Sequence, residues 1–345
     1  MKNIKQSLIG NAVEMLSGKN ISAQKPDQII KSISDQASTL LSEAHRIHGF
    51  RIENMFAYVA GALGGCKLIK QEDCGLCFAS DDEIKVPDYR ILTNENYIFF
   101  TEVKNCNERK ITFKENYVGK LIKYASINET PLKIAIYWRI LKIWTLISVD
   151  KLVFQNGKCV IAIDKALAIS EMSILNDSMI GTKAPLKLKL MANLQKTSNL
   201  DAKGECEFTI GNVKLYSNET LISEKLESDI AFQLVLYLSQ SGKWKESENV
   251  IIEDKKVSAI EYLYEPHGDV NDQGFEIIGN LSSIISSKYD SSTTSEGEVI
   301  KISPDCDPRD FEVFIPNDYI GEFLPLWRFI LQPNDEYFKS PSKPS

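Results

Sequence analysis

The stretch from Leu132 to Val149 is the most apolar in this chain, and it constrains the fold because it cannot lie in a membrane. Lys133, Arg139 and Lys142 interrupt it, and each charge at the centre of a span costs about 3 kcal/mol. Its Ile, Tyr, Trp and Val content reads instead as buried strand, over Leu132–Trp138 and Lys142–Val149.

Upstream, hydrophobic periodicity predicts helices over residues 4–17, from Pro26 to about His48, and from Arg51 to Leu63, where Gly64-Gly65 stops the last. Strand-like runs follow at Cys66–Lys70, Leu76–Ser80, Tyr89–Leu92 and Tyr97–Val103, the last two joined by a turn at Asn94-Glu95-Asn96. Lys114–Ser126 reads as a helix. Asn156-Gly157, between Val153–Phe154 and Val160–Ile163, is a two-residue hairpin signal. Helix, strands, helix, strands is the order of an α/β or α+β core.

At 345 residues the chain is too long for one typical core. Two domains are expected: residues 1–195, and a mixed α+β domain over 205–340, with the polar segment Gln195–Gly204 as linker. The second domain should carry a helix at Glu224–Ser239, a mobile Ser/Thr-rich loop at Ser286–Glu298 and a frayed tail at Ser340–Ser345. Trp327 is expected to anchor its core.

Several chemistries are poorly supplied. Seven scattered cysteines do not make a secreted disulfide framework. Cys74 and Cys77 form a lone CxxC, half of a zinc site even with Cys66 and Cys106 nearby, so buried thiols are expected. Three histidines, among them His45 and His48 on one helix and His267, give little support to a histidine-activated nucleophile. No P-loop occurs. Asp305, Asp307 and Asp310 lack EF-hand spacing and read as an acidic loop. No unbroken apolar run follows Met1-Lys2-Asn3, so a cytoplasmic protein with no membrane partner is expected.

The net charge of −7 hides an asymmetry. Residues 201–345 hold 13 basic and 27 acidic side chains, a net of −14, which leaves +7 for residues 1–200. Phosphate would therefore meet the first part and be repelled by the second.

Chemistry concentrates between Pro87 and Lys104. Val86-Pro87-Asp88-Tyr89 opens one strand, and Tyr97-Ile98-Phe99-Phe100 feeds Thr101-Glu102-Val103-Lys104 on the next. Period two puts Glu102 and Lys104 on one face and turns Val103 into the core. Hairpin pairing would bring Asp88 beside Glu102. Two clustered carboxylates suit Mg²⁺, and a lysine there can orient water or steady charge on a phosphate.

With these residues in place the segment from about 40 to 150 resembles the PD-(D/E)xK nuclease superfamily, which includes restriction enzymes, Holliday-junction resolvases and RecB-type nuclease domains. Pro87-Asp88 matches its first element and Glu102-Val103-Lys104 its second. Glu53, in Arg51-Ile52-Glu53-Asn54, matches the glutamate many members carry on the preceding helix, with Glu43 a weaker alternative. The helix and strand that follow the motif also fit. The resemblance implies a restriction-endonuclease-like core, a central mixed sheet flanked by helices. It implies catalysis by Asp88, Glu102, Lys104 and Glu53, with Mg²⁺ (or Mn²⁺ in its place) held by Asp88, Glu102, the Val103 carbonyl and Glu53.

Nine basic side chains against three acidic ones over residues 104–142 agree with a phosphate-binding flank. Arg109, Lys110, Lys114, Lys120 and Lys123 are its candidates, a solvated helix face being the equal alternative for the helical ones. The expected function is metal-dependent DNA cleavage, in phage defence or restriction, or in repair and recombination. An RNA nuclease and a non-catalytic nuclease-like scaffold remain the alternatives. The acidic domain would bind a protein partner, dimerise or regulate.

Overall fold

The structure is a computed structural model that describes residues 44–336 apart from 75, 76, 78, 80–82 and 317. The helix expected at 4–17, most of that at 26–48, Glu43 and the tail at 340–345 lie outside the described residues, as does most of the strand expected at Leu76–Ser80. The described residues form two compact units, one of residues 44–176, 289–312 and 331–336, the other of 177–288 and 313–330.

The first unit is a mixed α+β fold on a five-stranded sheet. Helix α1 (Ala44–Ala62) leads into β1 (Cys66–Gln71), β2 (Tyr89–Thr93) and β3 (Ile98–Cys106), an antiparallel meander. The tight turn between β2 and β3 is closed by Thr93 N–H donating to Tyr97 O at 2.9 Å. Asn96 takes a left-handed φ of 65°, a conformation asparagine tolerates. A short strand β4 (Lys110–Lys114) and helix α2 (Glu115–Ile127) then return the chain to β5 (Leu132–Trp138), parallel to β3. Strand β6 (Ile143–Ser148) closes the order β1-β2-β3-β5-β6. All seven residues of β5 are buried, as its apolar sequence demands of a strand covered on both faces.

Helix α2 covers one face of the sheet, where Phe100, Leu121, Ala125 and Leu132 cluster, and Phe113, Val118, Ile134 and Ile136 form a second cluster. On the other face Phe56 of α1 meets Trp144 and Tyr89, with ring centroids 5.2 and 6.4 Å away. Phe99 and Phe100 are fully buried, each contributing about 2 kcal/mol.

The Asn156-Gly157 turn forms, with φ of 52° and 72°, the signs of a type I′ turn. Its strand partner differs from the expectation. Val153–Phe154 joins no strand, and β7 (Lys158–Ala162) pairs with β4. Phe154 packs instead against the second apolar cluster. A six-residue helix α3 (Ile163–Ala168) follows β7.

In the second unit β8 (Met179–Lys183) and β9 (Leu186–Ala192) belong with later strands, so the unit begins at Asp177 and not after 195. Strand β9 lies between β10 (Ile210–Ser217) and β13 (Lys256–Glu265), with β11 (Thr220–Leu221) and β12 (Lys245–Glu253) at the edges. Gln195–Gly204 is accordingly no linker. It lies in the connection from β9 to β10, tied across by Asn193 N–H to Thr209 O at 2.7 Å and Ser198 N–H to Glu207 O at 3.0 Å. Helix α4 (Lys225–Ser241) covers this sheet's buried residues, and β14 (Phe275–Asn280) pairs with β8.

Helix α5 (Leu281–Thr293) overturns the expected loop at Ser286–Glu298. Ile284, Ile285 and Tyr289 are buried on it, and the hydroxyls of Ser286 and Thr293 donate to carbonyls four residues back, both at 2.7 Å. Serine and threonine thus satisfy themselves along the helix, a use that composition does not distinguish from a loop. A small hairpin, β15 (Thr294–Ser295) and β16 (Glu298–Val299), follows in the first unit. The last strand, β17 (Leu326–Phe329), pairs with β8. Its Trp327 is half-buried and stacks on Phe275 with centroids 4.4 Å apart. Asp307 and Asp310 form a capping box on the turn Pro308–Phe311.

None of the seven cysteines is in a disulfide. Cys66, Cys106 and Cys159 are buried, whereas Cys77 is exposed, against the expectation of a buried thiol. Among the described residues no helix is long and apolar enough to cross a membrane.

Candidate active site

The β2–β3 register places the two motif carboxylates together. Tyr89 stands opposite Thr101, so Asp88, one residue earlier, falls beside Glu102. Asp88 is fixed from two sides. Its carbonyl accepts Glu72 N–H at 2.8 Å, and its Oδ2 accepts Val103 N–H at 2.6 Å. Both carboxylates are buried, Glu102 to 1% exposure.

Burial, then the charges of Glu102 and Glu53, push the Asp88 carboxyl up to about 8, while Lys104 and the Val103 N–H act the other way. Glu53, on α1, is also raised, by burial first and by Asp73 next. Asp73, solvent-exposed on one side just beyond β1, is raised by partial desolvation and by Glu102. Asp88, Glu53 and Asp73 are thus each raised by burial and by neighbouring carboxylate charge at one end of the sheet, the pattern of a site short of positive charge.

Lysine supplies some of that charge. Lys104 Nζ donates to Glu102 Oε1 at 2.6 Å, and Lys85 Nζ stands 3.8 Å from the same oxygen. Burial alone would depress Lys104, but Glu102, Tyr117 and Asp88 outweigh it and hold the ammonium above its ordinary range. The hydroxyl of Tyr117, on α2, also donates to Glu102 Oε1. The second oxygen, Oε2, is buried with no hydrogen-bond partner among the described residues.

That orphaned oxygen bears on whether a metal ion fits. Among the described residues no three His, Cys, Asp or Glu side chains are gathered closely enough for a ready-made cage. Mg²⁺ does not need one, since it keeps several waters and binds through one or two carboxylates. Asp88 and Glu102 side by side, one oxygen of Glu102 unsatisfied, are a donor set of that kind.

The other expected residues are more dispersed. Arg109 and Lys110 are exposed at the start of β4, Lys114 is the exposed cap before α2, and Lys123 is exposed on that helix. Lys120 pairs with Glu83 at 3.1 Å, so its charge is partly met within the protein. His48 is half-buried on α1.

Tyr117, Lys85 and Asp73 were not singled out from sequence. Tyr117 has a signal, three residues before Lys120 on the same helix. Lys85 is three residues before Asp88, close in sequence but without a pattern. Asp73 has no signal.

The chain matches no protein-family model and no curated protein sequence. Among solved structures it is similar to Hjc of Archaeoglobus fulgidus, a Holliday junction resolvase from an archaeal hyperthermophile. Identity is 20%, the match covers 26% of this chain and 75% of that one, and the TM-score is 0.22. A likeness at that score carries no weight, so the functional reading rests on the site.

Proposed function

We propose that this chain hydrolyses DNA phosphodiester bonds with Mg²⁺, or Mn²⁺ in its place, at a site of the PD-(D/E)xK kind. The observation that carries the reading is the pairing of buried Asp88 with buried Glu102 across β2 and β3, with Glu102 Oε2 unpartnered among the described residues and Lys104 two residues further on. A solvated surface hairpin would bury neither carboxylate.

Asp88, Glu102 and the Val103 carbonyl would hold the ion, and Glu53 a second ion or a water beside it. When bound, the ion supplies Lewis-acid activation of water and neutralises charge on the attacked phosphate. Lys104 acts as a donor. Held charged by Glu102, it has no lone pair with which to take a proton, so it orients the attacking water or steadies the phosphate oxygens. The Val103 N–H keeps Asp88 turned toward β3.

The test is cleavage of supercoiled plasmid, linear duplex and a labelled RNA, with Mg²⁺ or Mn²⁺ against EDTA, for wild type, Asp88→Ala and Lys104→Ala. Metal-dependent DNA cutting lost in both variants supports the proposal. Preference for the RNA makes the enzyme a ribonuclease, and full activity in either variant rejects the site.

A further inference from the structure

Glu102 is held unevenly. Lys104 Nζ at 2.6 Å and the Tyr117 hydroxyl both donate to Oε1, with Lys85 Nζ at 3.8 Å, while Oε2 has no partner among the described residues. A carboxylate offers equivalent lone pairs on both oxygens, and a single donor would let it swing about its last torsion, which is broad and soft. Two donors from different elements, β3 and α2, lock that torsion and decide which oxygen remains open.

Tyr117 is itself held firmly. Its ring packs against both apolar clusters beneath α2, which fixes where the hydroxyl reaches. The same ring lies 5.2 Å from Lys104 Nζ and 5.4 Å from Lys85 Nζ, within cation–π range of each ammonium. One side chain thus positions the carboxylate and both lysines beside it.

We infer that Tyr117 is a positioning residue that clamps Oε1 of Glu102 and so presents Oε2 to a divalent cation. This rests on the nuclease reading above and adds a residue that the motif does not contain. A hydrogen-bond partner standing behind a metal ligand is worth about 10- to 100-fold in metal affinity.

The experiment titrates Mn²⁺ by calorimetry into full-length protein stripped with EDTA, for wild type, Glu102→Gln and Tyr117→Phe, beside metal-free thermal melts of each. Tyr117→Phe keeps the ring and its packing and removes only the donor. Expected are Mn²⁺ binding by wild type, its loss in Glu102→Gln, and binding at least about 10-fold weaker in Tyr117→Phe with an unchanged metal-free melting temperature. Wild-type affinity in Tyr117→Phe overturns the clamp and leaves the nuclease reading standing. Weaker binding that comes with a matching loss of metal-free stability makes the hydroxyl structural and also overturns it. No Mn²⁺ binding by wild type overturns both.

Discussion

Lys104 Nζ and Glu102 Oε1 lie 2.6 Å apart on one face of β3, and the contact keeps the lysine charged. In the proposed reaction a charged lysine can act only as a donor, so its removal should affect cleavage and spare metal binding. Lys104→Ala is expected to lower the cleavage rate about 10²- to 10³-fold, the usual loss when one donor to developing charge is removed. Mn²⁺ binding by calorimetry should persist, because Tyr117 still holds Oε1 and the loss of one clamp donor is offset by the loss of a competing cation. Lys104→Arg should stay impaired, since a planar fork does not replace a compact ammonium. Metal binding lost along with activity in Lys104→Ala would show that the lysine maintains the site and does not act in the reaction.

The basic flank makes a separate prediction about salt. Each lysine or arginine that meets a DNA phosphate adds about 0.9 to the slope of log affinity against log salt. Lys114 is exposed at the cap of α2, whereas Lys120 pairs with Glu83. Lys114→Ala should therefore flatten the slope by close to one such increment, and Lys120→Ala by less. Fluorescence anisotropy with a labelled duplex, Ca²⁺ replacing Mg²⁺, measures this. An unchanged slope when Arg109, Lys110, Lys114 and Lys123 are all replaced by alanine would remove this flank from the interface.

Much of the site was legible because strands carry a period of two. The apolar run before Glu102, the turn at Asn94-Glu95-Asn96 and the Pro87-Asp88 opening together fix one register, and that register alone brings Asp88 to Glu102. Tyr117 was not legible in the same way. Which stripe of α2 faces the sheet is settled by packing against Phe100 and Leu132, and the lysines on that helix drew the reading toward solvent. The partner of β7 was hidden for a similar reason, since Lys110–Lys114 offers a strand edge that no local pattern announces. In the second unit, composition misled. A Ser/Thr-rich segment proved to be helix, and a polar segment proved to be a hairpin connection.

Asp177 gives a prediction about pH. It is buried, its Oδ1 accepts Ser282 N–H at 3.0 Å, and its Oδ2 accepts the Ser282 hydroxyl at 2.6 Å, at the start of α5. Burial, against these hydrogen bonds, pushes its carboxyl up from 3.8 to about 6. The folded state then binds the proton more tightly than the unfolded state does. The stability that protonated Asp177 contributes is complete below pH 3.8 and is lost as pH rises through 6, a change on the order of 3 kcal/mol. Asp177→Asn keeps an acceptor for Ser282 N–H and cannot ionise. Urea unfolding at pH 4 and pH 7 should show a smaller loss of stability with rising pH in Asp177→Asn than in wild type. Equal losses would mean that Asp177 ionises normally in the fold.

The acidic balance of residues 201–345 invites a reading as a partner surface, but some of those acids are spent inside the fold. Lys189 and Glu261 pair at 2.8 Å across β9 and β13. Glu227, buried on α4, has no lysine or arginine partner among the described residues and takes main-chain donors instead: Glu322 N–H at 2.7 Å on Oε1, with Phe323 and Leu324 N–H at 2.8 and 2.7 Å on Oε2. Three successive N–H groups converge because the chain turns at Gly321 with φ of 76°, where an added Cβ would stand 2.2 Å from Leu324 O. Hydrogen bonds to a charged acceptor are worth about 1.5–3 kcal/mol each, and a buried donor left unpaired costs a further penalty. Glu227→Ala should therefore destabilise the protein by about 3–5 kcal/mol. Glu227→Gln should cost less but not be neutral, because its amide nitrogen would face main-chain N–H groups. Urea denaturation of the three proteins measures the difference. A loss under about 1 kcal/mol in Glu227→Ala would show that water can replace the carboxylate at these N–H groups.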